Sequence, residues 1–153
     1  MTTFDAVALV PGHARAPGIA LAPLSFWGGY DAERGVIVDA THAGYGKSLA
    51  ARVLVMPRAR GSSSSSSVLA EALRNGTGPV GIVLTERDLI LSIGAIVANE
   101  LYASNVPVVM VDETAFAQIA AADVDIAIEI DARDAARPAR VRLSATSSFR
   151  PPR

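Results

Sequence analysis

The sequence predicts a mixed α/β domain with three layers, β/β/α: a small parallel central sheet, a layer of helices and an additional antiparallel β layer. Two observations predict this class. Over residues 52–122, short apolar runs alternate with helical patterns, which is typical of strand–helix–strand units around a parallel sheet. On both sides of this region, aliphatic runs separated by turn signals are typical of antiparallel pairs.

The central region predicts strands that are buried on both faces and joined by right-handed crossovers through helices. The strands lie at residues 52–56, 79–84 and 107–111. The helices, predicted from recurring apolar residues, lie at 68–73, 88–102 and 116–122. Asn75-Gly76 supplies a C-terminal stop for the first helix. One face of the second helix is expected to hold Ile90, Ile93, Gly94 and Val97.

Both ends of the chain predict antiparallel strands. The N-terminal strands lie at residues 6–10, 18–22 and 36–39, with a Pro/Gly-rich turn between the first two. The C-terminal pair is marked by Ile126, Ile128, Ile130, Val141 and Leu143, with a turn between the two groups.

The composition narrows the range of functions. Hydrophobic residues make up 50% of the chain and charged residues 19%, with a mean hydropathy of +0.33, so we expect a partner to cover part of the surface. A net charge of −1 favours neither nucleic acid nor an anionic membrane as a partner. With no cysteine and two histidines, the chain is not expected to hold a metal alone.

The first ten residues lack a basic leader and contain Asp5, so they do not predict a signal peptide. The longest apolar stretch, residues 89–98, is about half of the ~20 residues that span a bilayer. We therefore expect a cytoplasmic protein. Residues 1–144 are predicted to form one domain, and 145–153, which include a double proline, a flexible tail.

Residues 58–67, which include six consecutive serines, join the first buried strand to its helix. In open α/β sheets, ligands bind at the carboxyl ends of the strands, where such loops lie. Gly61 permits a sharp turn, and a following serine can cap the helix. The free amides and the positive end of the helix dipole then favour an anion such as a substrate carboxylate, to which Arg58 or Arg60 can add bidentate hydrogen bonds.

Two plainer interpretations of this loop stay open. A serine run is often a flexible linker, but linkers join domains, whereas this run separates a strand and a helix that are both predicted to be buried. The loop can also be a helix cap without chemistry. A Walker phosphate loop is excluded, because no Gly-Lys-Ser/Thr ending follows Gly61.

A set of spaced motifs carries a resemblance to a known family. The motifs are Pro23-Leu-Ser-Phe-Trp-Gly-Gly29, Asp39, His42, Tyr45-Gly46, Ser48, Val53-Leu-Val55, Pro57, Arg60-Gly-Ser-Ser63, Asn75-Gly76, Pro79, Ile82 and Gly94-Ala-Ile-Val97. In this order, over residues 5–143, the sequence resembles the small subunit, or swivel domain, of the aconitase X family of hydro-lyases. The resemblance implies a swivelling β/β/α domain that closes over a large subunit, which carries an iron or iron–sulfur centre.

The resemblance also assigns roles within the serine loop. In aconitases the catalytic base is the first serine after the glycine of a Gly-Ser-Ser motif, which implies Ser62 here. The residues expected to contact substrate are Gly61, Ser63, Arg60, Gly28 and Gly29, and the further candidates are His42 and Arg58. Aconitase has an arginine where this chain has Ser64, and many relatives have glycines at positions 58 and 59. The arginine that binds substrate is therefore expected from Arg60, Arg58 or the large subunit.

The implied reaction is the dehydration of a small β-hydroxy acid by a heteromer in which this chain is inactive alone. The candidate substrates are cis-3-hydroxy-L-proline, giving Δ1-pyrroline-2-carboxylate, and mevalonate 5-phosphate. Bacterial members of the family resemble enzymes for the first and archaeal members enzymes for the second, and the Ala/Arg-rich composition without an acidic surplus favours a bacterial chain and hence the first substrate. Two hypotheses from other classes stay open. One is a phosphohistidine carrier modified at His42, although the flanking residues lack the expected Thr-His-Ala-Thr-type sequence. The other is a non-catalytic regulatory subunit.

Overall fold

The computed structural model describes residues 1–146, and the predicted tail from residue 147 onward lies outside the described part. Within it the strands are β1 (Thr2–Val10), β2 (His13–Ala20), β3 (Tyr30–Asp31), β4 (Val36–Ile37), β5 (Val53–Val55), β6 (Gly81–Leu84), β7 (Val108–Met110), β8 (Ile126–Asp131) and β9 (Ala139–Ala145). The helices are α1 (Phe26–Gly29), α2 (Ser65–Asn75), α3 (Leu89–Leu101) and α4 (Glu113–Ala120).

The strands β5, β6 and β7 form the predicted parallel sheet, with α2 and α3 as the crossovers between them. The second half of β2 adds a further parallel strand, in which Gly18 lies opposite Val53. The carboxyl ends of the parallel strands therefore meet at one edge of the sheet. We call it the loop edge, because residues 57–64, 85–88 and 111–112 follow the strands there.

The predicted antiparallel layer is not a separate layer, because β1 and β2 each pair in both parts of the sheet. Residues 2–6 of β1 pair with β9, and residues 7–10 pair with β7. Residues 13–17 of β2 pair with β8, and residues 18–20 pair with β5. With β8 and β9 antiparallel, as predicted, the strands close into a barrel in the order β1-β7-β6-β5-β2-β8-β9, and β3 and β4 form a small separate sheet.

The predicted N-terminal hairpin is wrong. Within residues 1–146, β1 and β2 pair with other strands and not with each other. Closure gives each barrel strand a neighbour on both sides, which leaves no exposed edge for aggregation. Since the partners of β1 lie about a hundred residues further along the chain, no local pattern announces this pairing.

Successive side chains of the short parallel strands are buried in two different cores. The barrel interior is filled mainly by branched side chains, Val53, Val55, Val83, Val109, Ile128, Ile130 and Val141. The opposite face packs against α2 and α3 through Leu54, Ile82, Leu84, Leu69 and Leu91. All of these residues are at most 1% exposed, so both faces of β5 and β6 are buried as the apolar runs predict.

Aspartate side chains cap the N-termini of two helices. The carboxylate of Asp88 accepts a hydrogen bond from the Leu91 N–H at 2.8 Å, and that of Asp112 accepts one from the Ala115 N–H at 2.7 Å. The last helix therefore begins at Glu113 and not at residue 116. The first long helix, α2, ends as predicted, because Gly76 adopts the left-handed conformation with a φ of 73°.

The helix α3 buries a different face from the predicted one. Gly94 is buried, but Ile93 and Val97 are 53% and 36% exposed. The buried side chains are those of Leu91, Ser92, Ala95 and Ala98. Because α3 is apolar around most of its circumference, periodicity does not identify its inner face. No helix within residues 1–146 is long and apolar enough to cross a membrane.

Candidate active site

The serine loop lies at the loop edge, between the end of β5 and the start of α2. The adjacent loop after β6 contacts it, since the Thr85 N–H donates a hydrogen bond of 3.0 Å to the Pro57 carbonyl. Ligands bind at the carboxyl ends of parallel strands both in open α/β sheets and in α/β barrels. Arg60, Gly61, Ser62 and Ser63 therefore occupy the position that a parallel sheet assigns to a ligand site.

Gly61 turns the loop onto the segment that precedes α1. Its φ is +97°, a left-handed value that favours glycine. A Cβ at this position would overlap the Ser25 hydroxyl and lie 2.8 Å from the Ser25 Cβ. The Arg60 N–H donates a hydrogen bond of 3.2 Å to the Leu24 carbonyl. Gly61 is thus required twice, for its backbone angle and for the close approach of Ser25.

The helix α1 is kinked and is held against α2. Trp27 has non-helical backbone angles and Gly28 has a φ of 76°. The Trp27 N–H donates a hydrogen bond of 3.1 Å to the hydroxyl of Ser65, and the Ser25 hydroxyl donates one of 2.9 Å to the Trp27 carbonyl. The structure therefore brings Gly28 to the first turn of α2. Gly29 is buried, and its carbonyl accepts a hydrogen bond from the Val38 N–H, which is a structural contact.

Ser62 is exposed and begins the turn that leads into α2. Its Oγ accepts a hydrogen bond of 3.1 Å from the Ser64 N–H, and its carbonyl accepts one of 3.0 Å from the Ser65 N–H. Ser64, although it directly precedes α2, has helical backbone angles, and its side chain makes no capping hydrogen bond. The serine that accepts an orphan amide is therefore Ser62. A hydrogen bond donated to Oγ and the positive end of α2 both favour the alkoxide over the hydroxyl.

Three successive amides at this turn are free to bind an anion. Within residues 1–146, the N–H groups of Gly61, Ser62 and Ser63 donate to no protein acceptor. Successive free amides before a helix form a concave donor site for carboxylate or phosphate oxygens. The positions expected to contact substrate thus supply backbone donors as well as side chains.

Two arginines on the loop remain available for a ligand. Arg58 and Arg60 are exposed, and neither forms an ion pair within the described residues. Hydrogen bonds from the Thr41 hydroxyl and amide hold the pKa of Asp39 below its usual range, and the positive charge of Arg60 contributes. Arg60 therefore lies near Asp39 without being neutralised by a direct ion pair.

Both ring nitrogens of His42 have partners within the chain. The Gly44 N–H donates to Nδ1 at 2.8 Å, and Nε2 lies 2.9 Å from the Ala22 carbonyl. Since a carbonyl only accepts and an amide only donates, the ring is the neutral tautomer with its hydrogen on Nε2. Phosphorylation of either nitrogen would break one of these hydrogen bonds, which argues against the carrier hypothesis.

Sequence reasoning missed two residues at the loop edge. Ser65 is 1% exposed and bonds to Trp27, but it stands in a run of identical serines that offers no signal to single it out. Arg87 is exposed in the loop between β6 and α3 and forms no ion pair within residues 1–146. Its position directly after a buried strand is the signal that could have identified it.

The described part of the chain does not offer a metal site of its own. Among residues 1–146, no group of three or more His, Asp or Glu side chains is placed to hold a metal ion, and the sequence has no cysteine. These residues therefore do not fit an iron or iron–sulfur centre.

The sequence is similar to named enzymes. It is 38% identical over 120 residues to the cis-3-hydroxy-L-proline dehydratase of Hypocrea jecorina, covering 78% of this chain and 20% of the relative. It is 45% identical over 76 residues to the phosphomevalonate dehydratase small subunit of Methanopyrus kandleri, covering 50% of this chain and 56% of the relative. The chain thus spans a fifth of one relative and about half of the other.

The fold is similar to that of a solved structure, the crystal structure of Thermococcus kodakaraensis aconitase X in its holo-form. The TM-score is 0.77 at 28% sequence identity, and the match covers 94% of this chain and 99% of that chain. The family described as the aconitase X swivel domain matches residues 3–136. Because that match takes in both the serine loop and most of the barrel, the chain belongs to the aconitase X swivel domain family.

Proposed function

We propose that this chain is the small, swivel subunit of an aconitase X-type dehydratase, in which Ser62 is the base that starts the removal of water from a β-hydroxy acid. The observation that carries the proposal is the turn at residues 61–64. It combines an exposed hydroxyl, which accepts the Ser64 N–H, with the unbonded amides of Gly61, Ser62 and Ser63. Family membership and the names of the relatives support the reaction class.

In the proposed reaction, Ser62 Oγ takes the proton from the carbon next to the substrate carboxylate, and the electron pair of that C–H bond forms a carbon–carbon double bond. The hydroxyl on the neighbouring carbon leaves with its own electron pair and takes up a proton to give water. The free amides and Arg60 hold the carboxylate and stabilise the negative charge that develops on it. Arg58 and Arg87 are the other exposed cations at the loop edge. The proposal places the iron or iron–sulfur centre on the large subunit, because the residues of this chain do not fit one.

The interactions that favour the Ser62 alkoxide are too weak for this chain to be active alone. The hydrogen bond from the Ser64 N–H and the dipole of α2 each stabilise an alkoxide by about 1 kcal/mol. Together they favour the alkoxide by a factor of roughly 30, whereas a serine alkoxide is far too basic to persist at neutral pH. The large subunit must therefore supply the remaining stabilisation, because closure over the turn lowers the local dielectric and strengthens the interactions that fixed donors and dipoles make with the alkoxide.

We propose cis-3-hydroxy-L-proline as the substrate. The relative from Hypocrea jecorina carries that name, and the Ala/Arg-rich sequence without an acidic surplus supports the same choice. Mevalonate 5-phosphate is the second candidate, because the relative from Methanopyrus kandleri is named for it. It has a phosphate as well as a carboxylate, so it would need cations beyond the amide turn.

The test is co-expression with the aconitase X large subunit of the same genome, followed by a dehydration assay with both substrates. We expect Δ1-pyrroline-2-carboxylate from the first substrate, and a fall in turnover of about 10²-fold or more in Ser62→Ala. Ser67→Ala is the matched control, since Ser67 is exposed in the same run and its hydroxyl bonds to nothing within residues 1–146. Near-normal turnover of assembled Ser62→Ala would refute the role of the base.

A further inference from the structure

The outward face of α3 is apolar along its length. Five large side chains on it are between 36% and 69% exposed: Leu89, Ile93, Ile96, Val97 and Leu101. We call these residues the α3 face. Glu100 is the one charged residue in the helix, and it forms no ion pair within residues 1–146. A helix that is apolar on both its inner and outer sides is normally covered on both.

The α3 face begins beside the serine loop. A Cβ on Gly94 would lie 2.8 Å from the Ser66 carbonyl oxygen, so Gly94 is level with the first turn of α2. Because α2 and α3 both connect parallel strands of one sheet, they run side by side in the same direction. At 1.5 Å per residue, Leu89 lies about 7 Å closer to the loop edge than Gly94. It therefore reaches the level of the turn that holds Ser62.

An exposed aromatic residue is also bonded to the first turn of α2. Trp27 is 58% exposed, although its own amide is bonded to Ser65 in the first turn of α2. Large exposed tryptophans are frequent anchors in protein interfaces. Trp27 and Leu89 thus both lie near the polar turn of Ser62, and a surface that covers the turn is expected to meet both.

The size of the exposed apolar surface favours the large subunit over a second copy of this chain as the partner. The α3 face exposes on the order of 400 Å² of apolar side chain, against about 800 Å² per partner in a stable interface. A two-fold dimer through this face alone is therefore too small. The proposed reaction requires the large subunit to cover the turn of Ser62, so its contact with that turn, the α3 face and Trp27 together comes near the required area.

We propose that the α3 face and Trp27 form the surface through which this chain docks onto the aconitase X large subunit; this rests on the proposed function and adds the docking surface to it. The partner surface is apolar opposite Ile93 and Ile96, and it places a cation opposite Glu100. In the relative from Hypocrea jecorina the matched region is a fifth of one longer chain, so there the same domain is covalently joined to the rest of its protein.

The test measures the affinity between this chain and the co-expressed, tagged large subunit for wild type and the double variant Leu89→Glu/Ile96→Glu. Both side chains are exposed, and a carboxylate at position 89 lies in the first turn of a helix, where it is favoured. Unchanged thermal unfolding of the variant is the check on folding. Val124→Glu is the matched control, since Val124 is 64% exposed and lies after α4, away from the loop edge.

We expect the double variant to weaken the complex by about 30-fold or more, while Val124→Glu binds as wild type does. Wild-type affinity of the double variant would overturn the proposal, as would a homodimer of wild type that the two substitutions dissociate. The proposed function fails separately: a complex that assembles through the α3 face but dehydrates neither substrate refutes the activity and leaves the docking surface supported.

Discussion

The buried hydroxyl of Ser65 accepts the Trp27 N–H at 3.1 Å, and this hydrogen bond ties the kinked segment before β3 to the first turn of α2. The two residues are 38 positions apart. Ser65 thus holds two parts of the candidate site in register, while Ser62, three positions earlier in the same serine run, presents its hydroxyl to solvent.

Ser65→Ala tests this relationship. The substitution leaves the Trp27 N–H without its acceptor, so we expect the free energy of unfolding to fall by about 1–2 kcal/mol. Chemical denaturation of the isolated chain measures it. Ser67→Ala, at an exposed position of the same helix, is expected to be neutral or slightly stabilising, because alanine is the better helix former. Equal effects of the two substitutions would contradict a special role for Ser65.

Gly61→Ala tests the close approach of the loop to Ser25. Alanine at a φ of +97° is strained by about 1–2 kcal/mol, and its Cβ would overlap the Ser25 hydroxyl. Gly46→Ala is the control for backbone strain alone, since Gly46 has a φ of +82° with open space around a Cβ. We expect Gly61→Ala to be the more destabilising, by about 1 kcal/mol or more.

Removing the Ser25 side chain should then restore part of that loss. In a double-mutant cycle with Ser25→Gly, we expect a favourable coupling of about 1 kcal/mol, because the overlap disappears while the strain remains. Purely additive effects in thermal or urea denaturation would show that Gly61 is required for its backbone angle only.

The substitution Gly94→Ala has two opposite effects on stability, a gain in helix propensity and a loss in packing. Alanine favours the helix by about 1 kcal/mol over glycine. Its Cβ, however, would lie 2.8 Å from the Ser66 carbonyl oxygen and 3.2 Å from the Leu69 side chain. A backbone carbonyl cannot move aside as a flexible side chain can. We therefore expect the free energy of unfolding, measured by urea denaturation, to fall by about 1–3 kcal/mol. Glu100→Ala, exposed on the same helix, should stay within about 0.5 kcal/mol of wild type.

Acid should weaken the ionic cluster between β2, β8 and β9. The Arg133 guanidinium lowers the pKa of Asp131 from 3.8 to about 2, and the hydrogen bond with His13 lowers that of Glu129. A lowered pKa in the folded state adds stability above the unfolded value. This contribution is lost as the pH falls from about 4 towards 2. In Asp131→Asn, the decline of the urea midpoint between pH 5 and pH 2.5 should be shallower than in wild type; an unchanged slope would contradict the assignment.

Much of the fold follows from local sequence. The runs 52–56 and 79–84 predict buried strands, and Asn75-Gly76 predicts the end of α2, because each signal depends on residues within one strand or one helical turn. The loop edge follows from the same pattern. Pairing between strands that are distant in the sequence does not follow from local pattern. The apolar halves of β1 and β2 predict a hairpin, whereas β1 pairs with β7 and β2 with β5.

The six consecutive serines show what local sequence cannot determine, which is the different role of each identical side chain. Local pattern determined that they join a buried strand to a helix, and resemblance to a family selected Ser62 among them. Tertiary structure decided that Ser62 is exposed and accepts the Ser64 N–H, while Ser65 is buried against Trp27. Burial and hydrogen bonding depend on segments far away in the chain. Closure of the barrel and docking of α1 therefore had to be known before chemically equal side chains could be told apart.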